Sequence, residues 1–596
     1  MNKNQPNYLL FIIDSLNYKY VKESKHELMP FFSKIEKEGV CCENMYSQAP
    51  YTEAAVMNIY CGTNVLDNNG YIFRFKNAPK TIFEAMQEKG YETFFNSYQP
   101  QCHPSSVRRG IDHLYYNVGY DQGALWTYRL SHFSGLLKNG SLTEKDYCVL
   151  YEIFDDNFSE WIRFTEDIIN KDESTNMIID NTKSYDAHYV KSLVEAEYNK
   201  YTKSKSAYID TVLTEGMNHI IFSIPAYVQD KKINNRASIE EINKELKPLF
   251  KKIRRNNFIY NIKNARGLLI PSWNKFKLLI KKPSVFSLKE FVKSLLGVGN
   301  QLIDLDLYER INSDCDLFKN APSGITHIDH FIDWTDRRSD SKPYFACLHI
   351  DDIHNPEIFY TYDTENVDLI KKEVKVANSL IDNLEKGYYG SITHDLSLRY
   401  IDGVIEYLYK KLEEKGLADN TNVIICADHG FSFAGNPIRD SYVINLYLEN
   451  YNIPFVMTGK DIEQKKLDGL YTSKDIAATI CDLVDGSIPE AFNGRSIMND
   501  IPYDNLFIEY CGGGCPDIMR RELKIAAFNK KYFVGTLSKM DQDIDYTTIT
   551  EIYDLEVDPR QETNIRDNIS INNSEIDELI EKIIARKKDI LQQLQL

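Results

Sequence analysis

The sequence offers nothing from which to build a disulfide framework. Its 11 cysteines are odd in number and scattered, and no two form a CxxC pair or a zinc-binding spacing. Such cysteines leave out both the disulfide scaffold and the zinc module, and they fit a reducing compartment. Long apolar runs are missing too. The first spans only Tyr8 to Ile13, too short for the core of a signal peptide. No later run reaches the roughly 18 residues that a membrane-crossing helix requires. There is no internal repeat. The glycine-rich string at Gly512–Pro516 lacks any Walker or Rossmann frame; it reads as a turn, with backbone amides facing a phosphate as the alternative.

What is present is globular. The chain has 596 residues, 43% of them hydrophobic and 12% aromatic, so it exceeds one small core and is expected to hold a large α/β domain with added parts. Net charge is −17 but unevenly spread: between Lys231 and Lys289, sixteen Lys and Arg stand against three Glu, a local +13. Such a segment calls for an anionic neighbour. The candidates are an anionic lipid surface, a glycan polymer or phosphate-rich substrate, and the acidic remainder of the chain itself. No nucleic-acid partner and no transmembrane segment are expected. A cytoplasmic protein is expected, with attachment to a membrane surface left open.

The organisation follows from periodicity. Residues 8–13, YLLFII, are continuously apolar rather than alternating, the pattern of a parallel strand buried on both faces. Helical text follows in LMPFFSKIEKEG and YTEAAVMNIYCG, then a helix and a strand in TIFEAMQEKG and YETFFNS, with Gly90 as the helix stop. The same rhythm resumes at PYFACLHIDD and continues through NVIICADHG and SKDIAATICDLVD. This alternation predicts an α/β fold, a mostly parallel sheet sandwiched by helices, built from residues 1–120 and 341–503. Long charged helical text predicts a helical insertion or cap over 121–340. Residues 504–596 turn strand-rich and end in an amphipathic helix, which predicts a small C-terminal α+β subdomain with an antiparallel sheet.

The candidate chemistry lies at strand ends. Asp428 and His429, in the string ADHG, end one apolar strand, and Asp14 ends another. Open α/β sheets place their sites at that edge. Two carboxylates and an imidazole there suit a divalent cation, although a buried structural histidine is the plainer reading of His429. Thr52 opens a helix, where backbone amides favour an anionic substrate. Its hydroxyl becomes a useful nucleophile only when a metal or base activates it. The competing reading makes Thr52 an ordinary N-cap. His349 and Asp351 sit near one strand end, and His349 reads equally well as a core residue.

Taken in order, these strings resemble the sulfatase branch of the alkaline phosphatase superfamily. The carriers are FIIDSL with Asp14, the helix from Thr52 to Gly62, and His354-Asn355-Pro356. They continue with the lone Asp-His-Gly at 428–430, Glu449 before Ile453-Pro454, the helix at Asp475, Gly494-x-Ser, and EIYDLEVDPRQETNI at 551–565. The resemblance covers 7–120 and 341–566 and leaves out the insertion. It implies that Asp14, Thr52, Asp428 and His429 surround the metal, and that Thr52 is the nucleophile. It also implies that His354 binds substrate and protonates the leaving group, and that Arg439 stands near a substrate-binding cation, a solvated loop charge being the alternative. His349 is the further substrate-binding candidate.

Departures from the family pattern redirect the chemistry. Sulfatases carry Cys or Ser in a Cys-x-Pro-Ser-Arg motif that becomes formylglycine. Here the string is Thr52-Glu53-Ala54-Ala55-Val56, and threonine cannot make that aldehyde. The Lys-Trp-His segment is also absent. Two-zinc relatives need a histidine after the Asp-His pair, and none of the 12 histidines follows His429. The resemblance therefore implies one divalent metal, Mn or Ca favoured over Mg or Zn. The resulting expectation is a metal-dependent phosphoester hydrolase or phosphotransferase acting through Thr52 on a phosphorylated glycan or lipid. The alternatives are a sulfate-ester hydrolase on the same scaffold and a non-catalytic binder of anionic ligands.

Overall fold

The computed structural model describes residues 5–23, 27–68, 70–71, 74–97, 109–117, 130, 133–171, 175–178, 183–184, 186–222, 224, 229–230, 324–338, 342–353, 392–431, 446–511, 523–539, 541–568 and 573–593, with isolated positions between 248 and 292. His354, Arg439, the Gly512–Pro516 string and nearly all of the basic segment 231–289 lie outside the described residues.

Numbered in chain order, the principal sheet takes β1 (Asn7–Ile13), β2 (Val40–Cys42), β4 (Glu92–Ser97), β5 (His113–Asn117), β6 (Thr175–Ile178), β9 (Tyr344–Ile350), β10 (Thr421–Cys426), β12 (Phe455–Thr458) and β13 (Lys465–Leu467). Their spatial order is β13-β2-β12-β10-β1-β9-β4-β5-β6. All neighbours pair in parallel except that β12 runs antiparallel to both β10 and β2. The central strands β1, β9 and β10 are buried at every position. Burial on both faces is why their text is continuously apolar. The alternating helix-and-strand text thus becomes the mostly parallel sheet it predicts.

Helices at the expected places cover this sheet. The helix Ile82–Glu88 begins with a capping box between Thr81 and Glu84, the reciprocal pairing that a Thr-x-x-Glu string encodes. Two segments within 121–340 belong with the main body. Thr175–Ile178 is the outermost strand of the sheet, and the helix Gly324–Arg337 sends Ile328, Phe331 and Trp334 into the principal core. Three further helices there, Glu144–Ile169, Ala187–Lys203 and Lys205–Glu215, gather around a second core that includes Phe154, Phe158, Trp161 and Tyr201.

Small sheets complete the chain. Strands β3 (Met45–Tyr46), β11 (Asn452–Ile453) and β14 (Tyr471–Thr472) make a three-stranded sheet, and β7 (Lys183–Ser184) pairs with β8 (Gln229–Asp230). The C-terminal strands β15 (Leu506–Cys511), β16 (Leu523–Phe528), β17 (Tyr532–Ser538) and β18 (Ile549–Asp554) form the antiparallel sheet expected there. The closing helix Ser574–Gln593 buries Ile576, Leu579, Ile583 and Ile590 in the principal core.

The helix Thr52–Cys61 is buried at all ten positions, as expected of an element with no polar face. It ends at Gly62, whose φ of 60° is left-handed. The carbonyl of Gly62 accepts the amides of Asn493 at 2.7 Å and Gly494 at 3.1 Å, which locks the helix end to the loop after the helix Asp475–Asp485. A Cβ at Gly62 would meet Phe492 Cγ at 2.9 Å. Gly62→Ala should therefore cost about 1–3 kcal/mol, left-handed strain plus displacement of Phe492. Urea unfolding measures it; an unchanged midpoint would show that the turn tolerates a side chain.

Candidate functional site

Register places the site. Ile12 on β1 pairs with Cys426 on β10 and with His349 on β9. Asp14 and Asp428, each two residues further on, therefore emerge level with each other on adjacent strands. The Asp14 amide continues the ladder to Ile350 O at 2.9 Å. Ser15 then turns the chain with a φ of 63°. Such a conformation in a residue with a Cβ persists only where the surroundings hold it. Here its amide donates to Asp428 Oδ1 at 3.0 Å and its hydroxyl to Asp14 Oδ1 at 2.7 Å. Asn17 ties the same loop across to the carbonyls of Glu449 at 2.5 Å and Phe431 at 3.3 Å. Neither Ser15 nor Asn17 stood out in the sequence, since only the φ value and the cross-loop bonds reveal them.

Beyond Asp428, its Oδ1 accepts the His429 amide at 2.8 Å. His429 Nδ1 lies 2.8 Å from the carbonyl of Gly430. A carbonyl oxygen only accepts, so Nδ1 carries a hydrogen, and in the neutral ring Nε2 is then the nitrogen with the lone pair. That Nε2 faces inward, 3.7 Å from Asp14 Oδ1 and 3.6 Å from Asp428 Oδ2. Gly430 is required because the Glu449–Asn450 backbone passes so close that a Cβ would meet Glu449 O at 2.9 Å.

Thr52 enters from the helix above. The N-cap position belongs to Tyr51, with no side-chain cap bond, and Thr52 is the first helical residue. The plain capping role therefore does not apply. The Thr52 hydroxyl instead donates to Asp14 Oδ2 at 3.0 Å and lies 3.3 Å from His429 Nε2. His349 Nε2 stands 3.8 Å from both Asp14 Oδ2 and Asp428 Oδ2. The strand-end residues Asp14, His349, Asp428 and His429, together with Thr52, thus meet in one place, all of them buried. Among the sequence candidates, His354 and Arg439 are outside the described residues.

The donor set fits a divalent cation. One ligand atom each from Asp14, His349 and Asp428 lies within 4.8 Å of the others. Asp428 Oδ2 is buried and has no hydrogen-bond partner among the described residues. Two carboxylates this close and away from water repel unless a positive charge sits between them. Hard oxygen ligands with imidazole suit several divalent ions and do not choose among them.

Two opposite effects of one variant follow. Asp428→Asn should lower bound metal from about one ion per chain to near zero, as measured by plasma mass spectrometry. In chelator, the same variant should melt higher than the wild type, by an amount worth roughly 1–3 kcal/mol, because a repelling buried charge is gone. Stoichiometric metal in the variant would remove Asp428 from the ligand set.

Comparison with known proteins identifies the family. The sulfatase family profile matches residues 6–255 and 304–487, more than half of the chain. The match runs through much of the region read from sequence as an insertion. A Delta 4,5-hexuronate-2-O-sulfatase from Bacteroides thetaiotaomicron is 25% identical over 205 residues, 32% of this chain and 39% of that protein. The chain thus spans well under half the length of that curated relative. Among solved structures, an alkaline phosphatase superfamily protein from Vibrio parahaemolyticus is similar over 99% of this chain and 88% of its own, at 11% identity and a TM-score of 0.48. The phosphonate monoester hydrolase of Agrobacterium radiobacter is similar over 99% and 96%, at 10% identity and a TM-score of 0.45. With a family match of that extent over the strands and helix that carry Asp14, Thr52, His349, Asp428 and His429, the chain belongs to the sulfatase family.

Proposed function

We propose that this chain is a metal-dependent esterase or transferase of anionic esters with Thr52 as its nucleophile, and that its substrates are phosphoesters of a glycan or lipid. The observation that carries the reading is the placement of Thr52 Oγ1, 3.0 Å from Asp14 Oδ2 at the first turn of a buried helix. The helix amides there favour an anionic group. Asp14, Asp428, His429 and His349 would hold the cation, which places His349 with the ligands rather than with the substrate contacts. The bound ion, Mn or Ca before Mg or Zn, would supply charge neutralisation for the hydroxyl and the ester oxygens.

The residues then divide the work. Thr52 Oγ1 attacks phosphorus, the bond from phosphorus to the leaving oxygen breaks, and a phosphothreonine forms. The Thr52 proton faces Asp14 Oδ2, the nearest acceptor. His354 donates a proton to the departing oxygen, and Arg439 holds the anionic part of the substrate. Water or an acceptor hydroxyl then attacks phosphorus, and the bond from phosphorus to Thr52 Oγ1 breaks. The attacking oxygen gives its proton to His354, and Thr52 Oγ1 regains its proton from the side of Asp14. Phosphoesters are favoured because a threonine hydroxyl can displace at phosphorus, whereas it cannot become the aldehyde that sulfatases use. Sulfate-ester hydrolysis is the second reading, favoured by the family match and the hexuronate sulfatase relative.

A panel of chromogenic phosphate monoesters, phosphate diesters and sulfate esters separates the readings. Turnover of a phosphoester, reduced roughly a thousandfold or more by Thr52→Ala and partly retained in Thr52→Ser, is the expected result. Normal turnover by Thr52→Ala would end the covalent mechanism. Preferential cleavage of the sulfate ester would favour the second reading.

The basic segment 231–289 is assigned by the same proposal to an anionic lipid surface or glycan polymer. Ile280, Val285 and Leu288 are exposed among its lysines, and no helix among the described residues is long and apolar enough to cross a membrane. Binding to anionic vesicles or polymers should weaken steeply as salt rises through the range in which charges are screened. Salt-independent binding, or none, would leave the segment facing the acidic remainder of the chain.

A further inference from the structure

The closing helix Ser574–Gln593 carries an arginine, Arg586, that turns two of its donor nitrogens inward to buried carboxylates. Arg586 is buried, and so are its partners Glu509 on β15 and Asp67 in the loop after the helix Thr52–Cys61. Arg586 Nε meets Glu509 Oε2 at 2.7 Å and Nη2 meets Glu509 Oε1 at 2.7 Å, a two-pronged pairing. Nη2 also reaches Asp67 Oδ1 at 2.8 Å, and Nη1 reaches Asp589 Oδ2 at 2.6 Å. Only a planar guanidinium matches that fork. Without it, two buried carboxylates would lose the guanidinium that hydrogen-bonds both. That would leave the buried Lys474, which binds Asn64 Oδ1 at 2.9 Å, to act on them with no such bond among those described.

Those carboxylates also brace the loop after the helix that begins at Thr52, and the backbone of Glu509 braces the segment before it. On the far flank, Glu509 Oε1 accepts the Leu66 amide at 3.0 Å, and Asp67 Oδ2 accepts the Asn64 amide at 3.1 Å. On the near flank, the Glu509 amide donates to Gln48 O at 2.9 Å, four residues before Thr52. Gln48 then closes the frame. Its Nε2 donates to Asn64 Oδ1 at 3.2 Å, and its Oε1 accepts from Asn58 Nδ2, inside the helix, at 2.8 Å. Tyr71 adds a second tie, hydrogen-bonding Tyr51 through the two phenols and Cys511 O at 3.1 Å.

We propose that Arg586 is a positioning residue for Thr52: by neutralising Glu509 and Asp67 it holds the frame that fixes where the helix begins. The proposal rests on the reading of Thr52 as nucleophile. It makes the C-terminal subdomain part of the working site.

Two variants of the full chain test it. Arg586→Lys keeps the charge but loses the fork, and Gln48→Leu breaks the frame without touching the ion cluster. In both, hydrogen exchange of amides in 48–58 should quicken by about tenfold or more, with β1 and β10 unchanged. For any ester the wild type cleaves, kcat should fall by about tenfold to a hundredfold with KM and metal content little altered. Faster exchange confined to the closing helix and β15, with kcat unchanged, would overturn the proposal and leave Arg586 as a docking residue only. A wild type that cleaves no ester would count against the nucleophile reading; the exchange pattern would still decide whether Arg586 fixes the helix start.

Discussion

Asp14 and Asp428 are buried side by side because the strands that carry them are neighbours in strict register. Sheet pairing sets their level, and the hydrogen bonds of Ser15 and His429 to Asp428 Oδ1 set their direction. Folding thus brings two like charges together in a buried place. That is costly unless a cation joins them. Much else about the site follows from this pair. Thr52 turns its hydroxyl toward Asp14, and His429 gives Nδ1 to a carbonyl so that Nε2 faces the carboxylates.

Many of the strings that resemble the family do structural work around that centre. Asp475 accepts the amides of Thr472 at 3.0 Å and Arg495 at 2.9 Å, joining the start of its helix to the Gly494-x-Ser turn. Glu449 pairs with Lys19 at 2.6 Å, across from the loop that follows β1. In the C-terminal signature, Gln561 Oε1 takes the Leu448 amide at 2.6 Å, and Asn564 Oδ1 takes the Ile552 amide at 3.1 Å. Of these, Glu449 and Gln561 hold the segment 448–450, whose carbonyls take Asn17 and the Gly430 amide beside the site. The order of these strings in sequence marks the fold more than it marks the chemistry.

The sheet was legible because parallel strands buried on both faces leave unbroken apolar text, as in YLLFII and NVIIC. The strand-end positions of Asp14, Asp428 and His429 followed from the same text. Thr52 was legible as a helix start, but whether its hydroxyl capped the helix or faced the carboxylates depended on the Tyr51 conformation, which no local pattern encodes. His349 was ambiguous because a core histidine and a ligand look alike until register shows it paired with Ile12. The strand Thr175–Ile178 is only four residues long and shows no apolar period, so nothing distinguished it within helical text. Arg586 and Glu509 were invisible for a different reason: the pairing joins a closing amphipathic helix to a strand 77 positions earlier, and charge on such a helix ordinarily faces water.

The central claim is that the edge of the sheet converges on one cation site beside the Thr52 hydroxyl. Anomalous diffraction from crystals soaked in a manganese salt tests it most directly. The account predicts a single strong peak at about 2.0–2.5 Å from carboxylate oxygens of Asp14 and Asp428, with Thr52 Oγ1 adjacent. Well-ordered density for these side chains with no peak between them, or a peak held by other residues, would contradict it.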